Sequence, residues 1–216
     1  MLKLFAIKNS CFDDGKRYEK YLALVDCGRR EKIQKLSVRE KRNQSLAAGV
    51  IVPLALHRLG YEGGVEIENG EHGKPRLVQP KGLFFNISHS GEWTVAAFSD
   101  CEVGVDIEKI KPVDMRLADR YFAAEEREAL AQSDGAQDLF FRLWTVKESY
   151  LKALGTGLSR PLNSFTVRLS ESGVTITDPT VSKKWHAAEI NAFKGYKIAC
   201  CTAEPQPLPE PEILTL

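Results

Sequence analysis

Two carboxylate residues separated by one position form a group that could bind a cation. Asp106 and Glu108 lie in the segment at 104–108, where they alternate with Val105 and Ile107. This alternation is typical of a strand, and side chains two positions apart on a strand point to the same face. Oxygen ligands of this kind suit Mg²⁺, which usually keeps waters or substrate phosphates beside a few protein carboxylates. An acidic pair is also often plain solvated surface, so the pair alone leaves both interpretations open.

A second group follows helical spacing. Trp144, Glu148 and Lys152 are four positions apart, so a helix places them on one stripe, with Lys147 beside Glu148. As an ordinary helix feature, Glu148 and Lys152 form an ion pair worth ~0.3 to 0.5 kcal/mol, and Trp144 belongs to the core. The stripe is followed by a turn rich in glycine at 154–158, which favours a functional role.

Two further segments could bind a phosphate. The run from Arg29 to Arg42 contains seven basic and two acidic residues, hence a local charge of +5. Such a run is typical of a solvated helix face, but it also occurs in phosphate-binding or nucleic-acid-binding patches. His89 lies between Ser88 and Ser90 in a predicted turn, where free backbone N–H groups can bind an anion.

Composition excludes several classes of protein. The 216 residues are 43% hydrophobic and 27% charged, which argues against a disordered chain or a small disulfide scaffold. The net charge of +1 removes any overall attraction to nucleic acid or to a membrane surface. The five cysteines include no CxxC motif, and no window approaches the ~20 apolar residues of a membrane span. We therefore expect a cytoplasmic protein without an export signal or a membrane anchor.

The predicted elements that must position these groups alternate between strands and helices. An opening strand at 2–6 precedes a helical pattern from Glu31 to Leu59, in which Pro53 should break or kink the helix. A second helical block extends from 113 to 154, with an interruption near 133–135. Strands are predicted at 65–68, at 84–87, 93–98 and 103–107 as a meander, and at 164–169, 174–177, 186–192 and 196–202.

The order of these elements predicts an α+β fold with two similar halves. Each half, at 1–102 and 103–203, contains a long helix that packs on an antiparallel sheet. The sequence shows no repeat at the level of residues, so the duplication depends on element order alone. The segment 204–216 is rich in proline and is predicted to be an extended tail with no core of its own.

Four motifs, taken together and in order, resemble those of the Sfp-type 4′-phosphopantetheinyl transferases. The resemblance covers the chain from about Arg30 to Ala203. It implies an enzyme that transfers the 4′-phosphopantetheine arm of coenzyme A to a serine of an apo acyl or peptidyl carrier protein and releases adenosine 3′,5′-bisphosphate. It also implies a monomer built as a pseudo-dimer, with coenzyme A in the cleft between the halves. The motifs are GlyLysPro (73–75), PheAsnIleSerHisSerGly (85–91), GlyValAspIleGlu (104–108) and TrpThrValLysGluSerTyrLeuLysAlaLeuGlyThrGlyLeu (144–158).

The resemblance further implies roles for single residues. Asp106, Glu108 and Glu148 match the carboxylates that bind Mg²⁺. Glu148 is then the base that takes the proton of the incoming serine hydroxyl, and Lys152 stabilises the leaving phosphate. The positions that match coenzyme A contacts are Lys147 and Lys152 at the diphosphate, Lys74 with Pro75 at the adenine, and Ser88, His89, Lys32 and Lys35 at the 3′-phosphate. An arginine that the family commonly has in its first helix is replaced by Gln44, for which Arg42 could substitute.

Two other functions fit parts of the sequence. The segment AspIleGluLys at 106–109 also resembles the metal sites of Mg²⁺-dependent nucleases, whose substrate backbone could follow the basic run. A nucleic-acid-binding module without catalysis could use the same run. Neither alternative explains the motifs at 85–91 and 144–158. We therefore expect a transferase with a carrier protein and coenzyme A as partners, and no nucleic acid or membrane.

Overall fold

The first part of the chain combines a bundle of helices with a sheet. The computed structural model describes residues 1–70 and 72–216. Up to residue 99 its elements are β1 (Leu2–Lys8), α1 (Gly15–Leu22), α2 (Cys27–Lys35), α3 (Arg39–Arg58), β2 (Glu66–Asn69), β3 (Pro75–Gln79), β4 (Phe84–Ser90) and β5 (Trp93–Ser99). The strands predicted at 2–6, 65–68, 84–87 and 93–98 are thus confirmed to within three residues at each end.

The second part begins with a strand and continues into a helical block. Its elements are β6 (Val103–Lys109), α4 (Arg116–Tyr121), α5 (Ala124–Ala131), α6 (Ala136–Leu154), β7 (Thr166–Ser170), β8 (Gly173–Thr177), β9 (His186–Glu189), β10 (Tyr196–Thr202) and β11 (Pro211–Ile213). The predicted interruption near 133–135 is confirmed, and the mixed α+β class is as predicted. No helix among the described residues has the length and apolar character needed to cross a bilayer.

Two sheets divide the central strands between them. The first has the order β11-β1-β5-β4 and the second β6-β10-β9, and all of these pairs are antiparallel except β11 with β1. The predicted meander is therefore correct for β4 and β5 but wrong for β6. That strand leaves the first sheet and pairs with β10, because its apolar residues are buried between the two sheets while its other face packs on α6.

The two sheets and two long helices form layers. On β1, Phe5 and Ile7 belong to the core beneath α3, whereas Leu4 and Ala6 point to the opposite face. α6 covers the outer face of the second sheet, where Ala199 and other β10 residues join its core. The buried residues between the sheets are Leu4, Ala6, Val95, Ala97, Val103, Val105, Ile107, Ile190, Ile198 and Cys200.

The first long helix is interrupted at a different place from the predicted one. α2 ends at Lys35 and α3 begins at Arg39, whereas Pro53 lies inside α3 without ending it. Arg42 on α3 stabilises this break, because its guanidinium donates hydrogen bonds to the carbonyl oxygens of Leu36 and Ser37 within it. Pro53 is tolerated because the buried face of α3 continues on both sides of it, which outweighs the missing backbone hydrogen bond.

β6 crosses α6 in close contact at Gly104. A Cβ atom added to Gly104 would lie 2.0 Å from the carbonyl oxygen of Ser149 and 2.4 Å from the backbone nitrogen of Ala153. Only a glycine permits this contact. It places Asp106 and Glu108 of β6 directly beside the stripe of α6 formed by Trp144, Glu148 and Lys152, which we refer to as the polar stripe.

The proline-rich end of the chain is extended, as predicted, but it is also attached to the first sheet. β11 pairs in parallel with β1, and the backbone N–H of Leu214 donates to the carbonyl oxygen of Ala6. Leu214 and Leu216 pack against the core beneath α3. The segment therefore contributes to the core of the first part of the chain.

Candidate active site

Six of the residues proposed from the sequence line one cleft. The cleft is a cavity of about 300 Å³ where the edges of β4 and β6 meet α6. β4 contributes Ser88 and His89, β6 contributes both of its carboxylates, and α6 contributes the polar stripe. The lining residues are Ile87, Ser88, His89, Asp106, Glu108, Trp144, Glu148 and Lys152.

Lys152 and Ser88 both hold the Asp106 carboxylate. The Nζ atom of Lys152 is 2.6 Å from Asp106 Oδ1 and 2.9 Å from the Oγ atom of Ser88, whose hydroxyl donates to the same Oδ1 at 2.8 Å. The ion pair expected within α6, between Glu148 and Lys152, is therefore wrong, because the lysine turns across the cleft to β6. The Ser88 hydroxyl faces this carboxylate, so only its backbone is left for the predicted contact with a 3′-phosphate.

The electrostatics of the cleft favour a cation. Burial raises the pKa of Glu148 to about 7, and the negative charges of Asp106 and Glu108 add to this shift while Lys152 opposes it. Burial also raises the pKa of Glu108, with a further contribution from Asp106, whereas the hydrogen bond from Ser90 lowers it. The three carboxylates are thus close enough to repel one another, and a divalent cation would relieve this repulsion.

The donor set fits a hard cation such as Mg²⁺. Asp106 Oδ2 is buried and has no hydrogen-bond partner among the described residues, so one oxygen of this carboxylate is uncommitted. Glu148 likewise accepts no hydrogen bond within residues 1–70 and 72–216. In the same part of the chain no three His, Cys, Asp or Glu side chains already form a closed metal-binding group. The side chains of the three carboxylates must therefore rotate before they can bind one cation jointly.

Lys147 does not reach the cleft, so its predicted contact with the diphosphate is wrong. It is completely buried on the opposite face of α6, where its Nζ atom lies 2.8 Å from a carboxylate oxygen of Glu126. The same ammonium donates to the carbonyl oxygens of Leu162 and Phe165. Burial lowers the pKa of Lys147, an effect that the charge of Glu126 opposes. The buried ion pair therefore links α5, α6 and the start of β7.

Lys74 likewise links neighbouring segments of the fold, at the predicted adenine-binding side of the site. Its Nζ atom donates to Glu102 Oε2 at 2.9 Å and to the carbonyl oxygens of Val103 and Ala153. Its ammonium is therefore occupied between β6 and the end of α6, and burial lowers its pKa. Lys74 and Pro75 line a separate cavity of about 140 Å³, where an adenine contact through the Lys74 backbone and the proline ring stays a prediction.

The remaining predicted phosphate contacts lie outside the cleft. Lys32 and Lys35 are exposed on α2 and do not line the cleft cavity, so their role stays a prediction. Gln44 is buried on α3. Arg42 is engaged at the break between α2 and α3, as described above. That arginine is thus not free to replace the arginine that the family commonly has.

Lys41 is a cation near His89 that motif matching missed. Its Nζ atom donates to Gln44 Oε1 at 3.3 Å. Partial burial lowers the pKa of His89, and the charges of Lys152 and Lys41 lower it further. Lys41 therefore lies close enough to act on the imidazole. The signal was present in the sequence as one of the seven basic residues of the run, but nothing in the spacing distinguished it from its neighbours.

The arginines of the basic run mainly support the fold. Four of them donate to backbone carbonyl oxygens of neighbouring segments and so bind the helices together. These hydrogen bonds give the arginines a structural role in the fold. The pairs are Arg29 with Ser45, Arg30 with Leu22, Ala23 and Val25, Arg39 with Asp13, and Arg42 with Leu36 and Ser37.

Comparison with known proteins gives matches to one family over nearly the whole chain. A family model described as the 4′-phosphopantetheinyl transferase superfamily matches residues 102–201. The 4′-phosphopantetheinyl transferase Sfp of Bacillus subtilis is 34% identical over 87% of this chain and 86% of its own. The 4′-phosphopantetheinyl transferase psf-1 of Bacillus pumilus is 34% identical over 99% of this chain and 95% of its own. Among solved structures, the holo-[acyl-carrier-protein] synthase of Neisseria meningitidis aligns with 48% of this chain and 98% of that one, at 18% identity and a TM-score of 0.42.

Proposed function

The chain belongs to the 4′-phosphopantetheinyl transferase superfamily, and we propose from this premise how its cleft carries out the reaction. The enzyme transfers the 4′-phosphopantetheine arm of coenzyme A to a serine of an apo acyl or peptidyl carrier protein. The observation that carries the proposal is that the carboxylates of β6 and the polar stripe of α6 line one cavity. The products are the holo carrier protein and adenosine 3′,5′-bisphosphate.

Asp106, Glu108 and Glu148 are the proposed ligands of a Mg²⁺ ion. The repulsion among them and the uncommitted oxygen of Asp106 support this assignment. When bound, the cation supplies positive charge against the oxygens of the diphosphate. Lys152 is the proposed cation that stabilises the charge of the leaving phosphate, because its ammonium lines the same cleft, where it is paired with Asp106.

Glu148 is the proposed general base. Glu148 lines the cleft from α6, where its carboxylate can take the proton of a serine hydroxyl. Its oxygens accept no hydrogen bond from the described residues, so they can receive the serine hydroxyl directly or through a water. The serine oxygen then attacks the phosphorus atom that carries the pantetheine arm. The bond between this phosphorus and the oxygen that bridges it to the adenosine-bearing phosphate breaks.

The nucleotide of coenzyme A is proposed to lie along the edge of β4. The cavity beside Pro75 takes the adenine. His89 and Lys41 take the 3′-phosphate, with Lys32 and Lys35 as more distant cations on α2. This arrangement is supported by the electrostatic effect of Lys41 on His89.

The two halves, 1–102 and 103–203, are proposed to form a pseudo-dimer within one chain. In each, a long helix covers one face of a sheet, and the cleft lies where β4 of the first half meets β6 of the second. Since elements from both halves of the chain contribute lining residues to the cleft, we propose that the enzyme acts as a monomer. Its five cysteines are free, which suits the reducing cytoplasm.

Mass spectrometry of carrier proteins tests the proposed function. The enzyme is incubated with coenzyme A, Mg²⁺ and a panel of apo acyl and peptidyl carrier proteins, and each carrier is weighed. We expect the mass of at least one carrier to increase by one phosphopantetheine group, and Asp106→Ala to lose nearly all of this activity while it stays folded. Efficient transfer by Asp106→Ala at low Mg²⁺ would contradict the metal site. Stabilisation by DNA or RNA instead of coenzyme A would favour the nuclease or nucleic-acid-binding alternative.

A further inference from the structure

The edges of β4 and β6 are joined by side chains instead of by a backbone ladder. β4 is the edge strand of the first sheet and β6 that of the second. Three side chains at alternate positions of β4 accept the backbone N–H groups of β6. Asn86 Oδ1 accepts from Val105 at 2.9 Å, Ser88 Oγ from Ile107 at 3.3 Å, and Ser90 Oγ from Lys109 at 3.1 Å. We refer to these three hydrogen bonds as the side-chain rungs.

The serine rungs differ from the asparagine rung in having a hydroxyl proton to donate. The Oγ atom of each serine accepts the N–H of β6, so its own proton points elsewhere. Ser88 donates it to Asp106 Oδ1 and Ser90 donates it to Glu108 Oε2, both at 2.8 Å. The amide oxygen of Asn86 has no such proton. The period of two along β4 thus matches the period of two between the carboxylates on β6.

The two carboxylates depend on their serines to different degrees. Asp106 Oδ1 is held by Ser88 and also by the ammonium of Lys152. Within residues 1–70 and 72–216, the only group that donates a hydrogen bond to the side-chain carboxylate of Glu108 is the Ser90 hydroxyl. Loss of that hydroxyl therefore leaves Glu108 free to rotate, whereas Asp106 keeps a second partner without Ser88.

We propose that Ser90 is a positioning residue for Glu108. By holding Oε2, it directs the other carboxylate oxygen into the cleft, where a divalent cation binds. The inference rests on the proposed function, because it takes Glu108 to be a ligand of that cation. Hydrogen-bond partners that orient metal ligands typically change metal affinity by ~10- to 100-fold when they are removed.

Direct measurement of metal binding tests this role. Mn²⁺ serves as the probe, with electron paramagnetic resonance as the readout and adenosine 3′,5′-bisphosphate present. We expect Ser90→Ala to weaken Mn²⁺ binding by at least ~10-fold. We expect Ser90→Thr, which retains the hydroxyl, to bind within a few-fold of wild type. In the transfer assay, Ser90→Ala should need more Mg²⁺ for half-maximal activity. Its rate should be closer to that of wild type at saturating Mg²⁺ than at low Mg²⁺.

Asn86→Ala is the matched control, because it removes a rung that contacts neither carboxylate. It should lower the melting temperature yet retain the Mn²⁺ affinity, whereas Ser90→Ala, which also removes a rung, should lose Mn²⁺ affinity as well. Ser90→Ala with unchanged Mn²⁺ affinity would overturn the positioning role and leave the proposed function intact. Equal losses in Ser90→Ala and Ser90→Thr would also overturn it. If the wild type itself fails to bind Mn²⁺, the metal site and the positioning role of Ser90 both fail, whereas the carrier-protein assay decides the transferase activity separately.

Discussion

At the scale of single residues, Glu148→Gln separates binding from catalysis. The amide keeps the shape of the side chain and one oxygen that can contact a cation, but it cannot accept a proton at neutral pH. We expect the affinity for coenzyme A to stay near that of wild type and turnover to fall by ~10² to 10⁴. Isothermal titration and a transfer assay measure the two quantities. Turnover within a few-fold of wild type would show that another group takes the serine proton. Glu126 is not that group, because Lys147 and two backbone N–H groups occupy it in the core.

The same variant should change how stability depends on pH. The pKa of Glu148 is raised to about 7 in the folded protein, so the folded state binds this proton more tightly than the unfolded state. Without metal, the stabilisation by protonation is fully present below the ordinary glutamate pKa and is lost as pH rises through about 7. The free energy of unfolding of Glu148→Gln should therefore exceed that of wild type by ~1 to 2 kcal/mol at pH 8 and match it near pH 4. Urea denaturation with a chelator measures this, and a less stable variant at pH 8 would refute it.

Lys41 provides a test of how the 3′-phosphate is recognised. If Lys41 and His89 bind that group, wild type should prefer coenzyme A over 3′-dephospho-coenzyme A, and Lys41→Ala should lose most of this preference. The preference should also weaken with salt, because the ammonium of Lys41 is exposed. Lys35→Ala is the matched control on α2, for which we expect a smaller change. Equal affinities of wild type for the two ligands at low salt would show that the 3′-phosphate is not recognised.

At the scale of elements, the buried pair of Lys147 and Glu126 decides how α5, α6 and β7 fit together. Lys147→Met leaves the Glu126 carboxylate buried without its counter-charge, so we expect a loss of ~3 to 5 kcal/mol of stability. The folded fraction should keep the coenzyme A affinity of wild type. Lys8→Met, which removes a weak exposed pair with Glu92, should cost at most ~1 kcal/mol. A Lys147→Met protein of normal stability but poor coenzyme A affinity would instead restore the predicted diphosphate contact.

At the scale of the whole molecule, the C-terminal strand closes one edge of the first sheet. Removal of residues 209–216 exposes the edge of β1 and the core that Leu214 and Leu216 cover. We expect this truncation to cost about 2 to 4 kcal/mol from the lost apolar burial and to promote association through the free edge. Light scattering should give a monomer for the full chain and larger species for the truncated one. A truncated protein that stays monomeric with an unchanged melting temperature would contradict this role.

The sequence by itself determined most of the elements and most of the residues of the cleft. The alternation on β6 and the four-residue spacing on α6 predicted which side chains share a face, because these periods are fixed by backbone geometry. The resemblance to the transferase family then implied that the β6 carboxylates and the α6 stripe share one site, and the structure places them in one cavity. It also places Ser88 and His89 there, as the family motif implied.

Only the tertiary structure decided which partner each charged group takes. The local pattern pairs Lys152 with Glu148, but Asp106 on β6 comes nearer once Gly104 lets the strand contact α6. Lys147 is one position from Glu148, yet the helical turn of ~100° per residue directs it into the core, where Glu126 compensates its charge. Neither partner is near in sequence. Which buried charges meet depends on how the layers pack, and that packing is not encoded in any single segment.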